Sequence, residues 1–173
     1  MTRLSVLLCV LLSSAAMAQQ AAPAQTKPRV FDSHVHLREG ESSLRAYEAD
    51  VTTANIELAG LFAMWFGGPH QARAGHPDDI ARRNDAIAAL ARRHPGVVAV
   101  ATVHPYDGDA ALAELERIAA KGVKVLKLHA HTQQSDVADP RVLTLVRKAG
   151  ELGMTVLMDN ANILPGDSEK LFN

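Results

Sequence analysis

Cysteine is nearly missing from this sequence of 173 residues: there is one, Cys9, close to the start. Past that point disulfides and thiol nucleophiles are excluded. Aromatic residues make up only 4%. Neither sign of charge dominates, since 18 lysines and arginines face 19 aspartates and glutamates for a formal charge of -1. That balance removes the electrostatic footprint of a nucleic-acid binder. No apolar run reaches the ~20 residues of a membrane span. Eight prolines and eleven glycines are too few for a low-complexity or collagen-like chain. What remains is a globular protein of single-domain length, with an apolar fraction of 47% to build a core.

Residues 1–18 read as a secretory signal peptide. Arg3 gives a positive start, residues 4–12 are apolar apart from Ser5, and Ala16-Met17-Ala18 has the small-x-small form of a cleavage site. The plainer alternative is a buried N-terminal helix. A lipid anchor on Cys9 is excluded because Leu7-Leu8 stand where small residues are needed. Cleavage after Ala18 would remove Cys9 and predicts a periplasmic or secreted protein. Residues 19–28, rich in Ala, Gln and Pro, predict a flexible linker, and residues 29–173 read as one domain.

From Arg29 onward, short runs of Val, Ile and Leu alternate with amphipathic stretches. Strands are expected near 30–34, 56–65, 97–104, 123–129 and 155–159. A helix over 78–94 opens with Pro77 and two acids and closes on Arg92-Arg93 before Pro95-Gly96, which suits the helix dipole. Leu112, Leu115, Ile118 and Ala119 share the face of a second helix, which stops at Lys121-Gly122. Asp139-Pro140 is an N-cap followed by proline at the first helical position, and Gly153 ends that third helix. A further helix is expected from Asp167. Strand–helix alternation of this kind predicts parallel strands with helices packed outside.

Two α/β architectures compete, an open doubly wound sheet and a (β/α)8 TIM-type barrel. No Gly-x-Gly-x-x-Gly follows the first strand, which removes support for a dinucleotide-binding open sheet. Polar residues cluster instead at strand C-termini, the face where barrel active sites lie. The expectation is therefore an incomplete barrel of about five βα units. It is either a fragment or paired with a second copy, and a capped helix still running at Asn173 favours the fragment.

Several residues have chemistry to offer. In Asp32-Ser33-His34-Val35-His36, positions two apart share a face, so Asp32, His34 and His36 are expected together. Two imidazoles leaving a strand end can present nitrogens to one divalent ion; the plainer alternative is a pair of solvated histidines. In Lys124-Val125-Leu126-Lys127-Leu128-His129, Leu126 and Leu128 should face the outer helices and turn Lys127 and His129 inward. A lysine there is costly without an anion beside it, unless it snorkels out of the mouth. Carboxylation, making it a metal bridge, is also open. Asp159 ends the fifth strand and could ligate metal, hold a histidine, pair with Lys127 or cap a turn. His104 before Pro105 reads as a cap, and His131 as a loop residue. His70 and His76 sit in the Gly-rich loop 67–77, either a lid or plain surface, and His94 ends a helix. The Gly-x-Ser-x-Gly elbow of serine hydrolases is missing.

With those residues in place, the sequence from about Val30 onward resembles the amidohydrolase superfamily, specifically its amidohydrolase-related branch of metal-dependent barrels. The resemblance rests on Asp32-Ser33-His34-Val35-His36, on residues 122–129 and on residues 153–159. It implies that His34 and His36 are metal ligands and that Lys127 and His129 lie beside metal and substrate. It implies a divalent metal, Zn2+ above all, that activates water against an amide, ester or lactone of a small molecule; some members decarboxylate instead. Many relatives carry histidine where this chain has Asp159. A histidine on a sixth strand and an aspartate on an eighth would fall beyond Asn173. The expectation is a metal-dependent hydrolase represented by its N-terminal part, with the activity of this chain alone left open. One alternative is a metal-dependent decarboxylase with Lys127 gripping a carboxylate. Another is a non-catalytic half-barrel binding protein, with a homo-oligomer covering the sheet edge.

Overall fold

The computed structural model describes residues 26–159. The expected signal peptide, most of the linker and the helix expected from Asp167 lie outside the described residues. The elements are β1 (Arg29–His36), α1 (Glu41–Thr53), β2 (Glu57–Met64), α2 (Pro77–Arg93), β3 (Val97–Ala101), α3 (Asp109–Ala120), β4 (Val125–His129), α4 (Pro140–Glu151) and β5 (Thr155–Asp159). All five strands are parallel and neighbour one another in chain order. Together with the helices between them they form an incomplete (β/α)8 barrel, as expected.

Local chemistry explains most boundaries. Pro77 starts α2, Asp78 and Asp79 lie in its first turn and Arg92 and Arg93 in its last. The Asp139 side chain accepts from Arg141 N at 2.8 Å, capping α4 just ahead of Pro140. Helix α1 was not marked by the sequence pattern. It has no side-chain cap and buries only Leu44, so it carries almost no apolar stripe to detect. Strand β3 ends at Ala101 instead of reaching His104. Thr102 turns both its N–H and its C=O to the Asn84 side chain on α2, leaving nothing for the sheet.

The outer face of the sheet packs on the helices. Leu61, Ala63, Ala101, Leu126 and Leu128 meet Leu44, Ile80, Leu90, Leu115, Ile118 and Leu145, all buried. Alternate positions point the other way. Register places His36 beside Met64, Val100 beside Val125, Lys127 beside Leu157 and His129 beside Asp159, so these residues share the inner face. At the opposite end of that face Phe31 packs edge-on against Phe62, with centroids 5.1 Å apart, while Phe31 stays 46% exposed.

Strand β1 departs from simple alternation. Asp32 pairs with Leu61 but Val35 pairs with Ala63, so three steps on β1 match two on β2. This bulge turns Asp32 to the helix side. Its carboxylate accepts from Tyr47 O–H on α1 at 2.8 Å and from His34 N at 2.9 Å. Burial, followed by the hydrogen bond to Asp32, raises the Tyr47 phenol to about 12. The expectation that Asp32 shares a face with His34 and His36 is thus corrected: the bulge breaks the two-residue period, and Asp32 ties β1 to α1.

Two predictions follow from these contacts. A Cβ on Gly60 would lie 2.7 Å from the Gly96 carbonyl oxygen and 2.9 Å from the Phe31 ring. Gly60→Ala should therefore lower stability by about 1–3 kcal/mol, read from urea unfolding. His104 is 4% exposed, and its Nδ1 accepts from Tyr106 N at 3.1 Å, capping the short 3-10 turn Pro105–Asp107. Burial lowers its pKa against a smaller upward pull from Asp107. The unfolded chain then takes up the proton first, so this contribution is present above about pH 6.5 and lost as pH falls toward the folded value. His104→Asn keeps an acceptor for Tyr106 N and should lose less thermal stability than the parent on acidification; an equal loss would contradict this.

Candidate active site

The inner-face residues at the C-terminal ends of β1, β4 and β5 converge. His34 Nε2 and His36 Nε2 lie 3.1 Å apart. Lys127 Nζ is 2.9 Å from His34 Nε2, 3.2 Å from Asp159 Oδ2 and 3.7 Å from Met64 Sδ. His129 Nε2 is 3.6 Å from the same Asp159 oxygen. The five residues singled out from sequence are therefore brought together at one mouth. Lys127 is 4% exposed and does not snorkel: its ammonium is spent on neighbours within the mouth.

Proton bookkeeping gives the histidine pair its character. Lys127 has hydrogens and no lone pair, so it donates and His34 Nε2 accepts. On His36 the other ring nitrogen, Nδ1, donates to the Phe66 carbonyl oxygen. The His36 pKa is lowered, chiefly by burial, with nearby His34, Lys127 and Arg38 acting the same way and the Phe66 bond opposing. With Nδ1 donating, the neutral His36 ring keeps an acceptor at Nε2, 3.1 Å from the His34 Nε2 that accepts from Lys127. Two acceptors at 3.1 Å suit a shared cation, for which Lys127 would have to release the His34 lone pair. Two ligand nitrogens, each about 2 Å from a tetrahedral ion, are ~3.3 Å apart, so the pair fits as two ligands of a divalent metal. The Phe66 carbonyl is the outer partner that such a histidine usually has. The fit is partial: among the described residues no group of three or more His, Cys, Asp or Glu is placed to hold a metal ion.

Glycine makes the approach available. Gly67 has φ +126, and a Cβ there would run into the His36 ring. The Gly67-Gly68 pair after β2 is a sequence signal for this close contact, although the loop reads from sequence only as a lid or plain surface. At β4, burial lowers the His129 pKa while Asp159 pulls it upward. Gln133 accepts from His129 N at 2.9 Å, a support with no signal in the sequence.

The other histidines stand apart from this cluster. His131 lies past β4 in the following loop. His70 pairs with Gly67 through backbone bonds and lies 3.7 Å from Glu39. His76 is the N-cap position of α2, and His94, at that helix's end, pairs with Glu41 at 2.9 Å.

Solved structures share this architecture. A protein from Staphylococcus aureus assigned as an amidohydrolase superposes with a TM-score of 0.60 at 17% identity, covering 85% of this chain and 52% of its own. The 5-carboxyvanillate decarboxylase of Sphingomonas paucimobilis superposes at 0.55 with 15% identity, over 76% of this chain and 51% of its own. At such identities the likeness is one of fold, and the chain spans about half the length of each. A search among curated proteins finds no match. Family models give the closer link: residues 31–169 match that of the amidohydrolases, and the chain belongs to that family.

Proposed function

We propose that this chain carries the N-terminal half of a metal-dependent hydrolase acting on an amide, ester or lactone of a small molecule. The observation that carries the reading is the 3.1 Å approach of the His34 and His36 Nε2 atoms at the mouth. His34 and His36 would hold the ion, with further ligands from outside the described residues. Divalent metals are the family's usual cofactor, and Zn2+ suits imidazole donors. Such an ion, when bound, lowers the pKa of water to near 7 and polarises a carbonyl.

The chain's own groups do the rest. Lys127, 3.2 Å from Asp159, would steady negative charge on a substrate oxygen beside the histidines. His129, close to Asp159, would hold or release a proton at Nε2. Asp159 orients both. Residues 1–18, read as a signal peptide, would direct the protein to the periplasm or outside the cell under this proposal. A decarboxylase on the same site is the second reading, favoured by the buried Lys127 ammonium, which suits a carboxylate.

Two measurements test this. Zinc titration by calorimetry should show binding that His34→Ala or His36→Ala weakens by about 10–100-fold or more; a chain that binds no zinc, or variants that bind it equally, would refute the metal reading. With zinc present, Lys127→Met should depress turnover of p-nitrophenyl esters or lactones while leaving zinc binding in place. Release of CO2 from an aromatic acid, without hydrolysis of any ester or lactone, would decide for the decarboxylase.

A further inference from the structure

Asn84, on α2, is fully buried and lies outside the mouth. Its Oδ1 accepts from Trp65 Nε1 at 2.9 Å and from Thr102 N at 3.2 Å. Its Nδ2 donates to the Thr102 carbonyl and to Glu114 Oε1, both at 2.8 Å. The donors and acceptors around it leave only one orientation of the amide. All of its hydrogen-bonding capacity is engaged, and its exposure is 0%. Glu114 is itself fixed by Arg117, whose Nε donates to it at 2.7 Å.

Two lines of contact leave this amide. Trp65 and Thr102 are the first residues past β2 and β3. Next to Trp65 is Phe66, whose carbonyl oxygen accepts from His36 Nδ1. Next to Thr102 is Val103, whose carbonyl oxygen accepts from Gln133 Nε2 at 2.8 Å. Gln133, 5% exposed, in turn accepts from His129 N at 2.9 Å. One side chain therefore stands behind histidines on two different strands.

We propose that Asn84 is a positioning residue that sets His36 through Trp65–Phe66 and His129 through Thr102–Val103–Gln133. Histidines on β1 and β4 are far apart in sequence, and their rings meet usefully only if β2 and β3 end at fixed heights between them. A single saturated amide joining both strand ends supplies that constraint, because moving the β3 end breaks two buried hydrogen bonds to it and moving the β2 end breaks the buried indole bond. The inference rests on the reading that His36 and His129 serve the same site, but its test needs neither metal nor turnover.

The test uses the full chain labelled with 15N, at one fixed alkaline pH. Long-range proton–nitrogen spectra then report which ring nitrogen of each histidine holds the proton. Asn84→Asp keeps the shape but sets an oxygen against Glu114 and the Thr102 carbonyl. It should shift the ring signals of both His36 and His129 and weaken zinc binding about tenfold or more. Trp65→Phe removes the indole N–H, with some ring packing, while leaving the Thr102 and Gln133 bonds in place, and should move His36 alone. Gln133→Met should move His129 alone. A folded Asn84→Asp protein with both rings unchanged would overturn the proposal. Should that variant fail to fold, the single-arm variants decide: each moving its own ring supports the proposal, and any other pattern overturns it. If the parent binds no zinc, the metal reading falls while the ring signals still judge Asn84.

Discussion

Two imidazole nitrogens held 3.1 Å apart at the mouth are the constraint on which the rest of this molecule depends. Imidazole rings whose nitrogens lie 3.1 Å apart must be kept in register, and a fold that keeps them there has to hold each ring from behind. Here it does so from several directions. The Phe66 carbonyl fixes the His36 ring, Lys127 donates to His34, and the β1 bulge, anchored by Asp32 to Tyr47, sets the spacing between the two. Each support comes from a different element, so the arrangement cannot form before most of the sheet has assembled.

The surrounding polarity is consistent with this. Lys127 is buried, yet Asp159, His34 and Met64 take up its contacts, so the cost of burying its charge is offset locally. Glu114, Arg117 and Asp85 form a second charged group on the helix side, with Arg117 donating to Asp85 at 2.8 Å and Lys121 joining it at 2.5 Å. The helix layer therefore carries its own electrostatic cement, separate from the mouth, and the two are linked through Asn84.

Much of this was legible in the sequence. Hydrophobic alternation located β5 to the residue and turned Lys127 and His129 inward, because Leu126 and Leu128 could face only the helices. Capping chemistry placed α4 at Asp139-Pro140. Most of the failures share a physical cause, namely contacts between residues distant in the chain. The bulge at β1 depends on pairing with β2, so a strict two-residue period misplaced Asp32. Helix α1 buries a single leucine and left no stripe. Asn84 looks like an ordinary polar helix residue between Arg83 and Asp85; its burial arises from partners 18 to 30 positions away.

The parallel register has one more consequence. Because neighbouring strands run in order without crossing, His36, His129 and Asp159 each occupy the last inward position of their strand and arrive at the mouth side by side. Chemistry in such a scaffold is set rim position by rim position, while the apolar layers beneath carry the stability. The Asp159 position can therefore change its side chain, and with it the polarity of the mouth, without asking the sheet to be rebuilt.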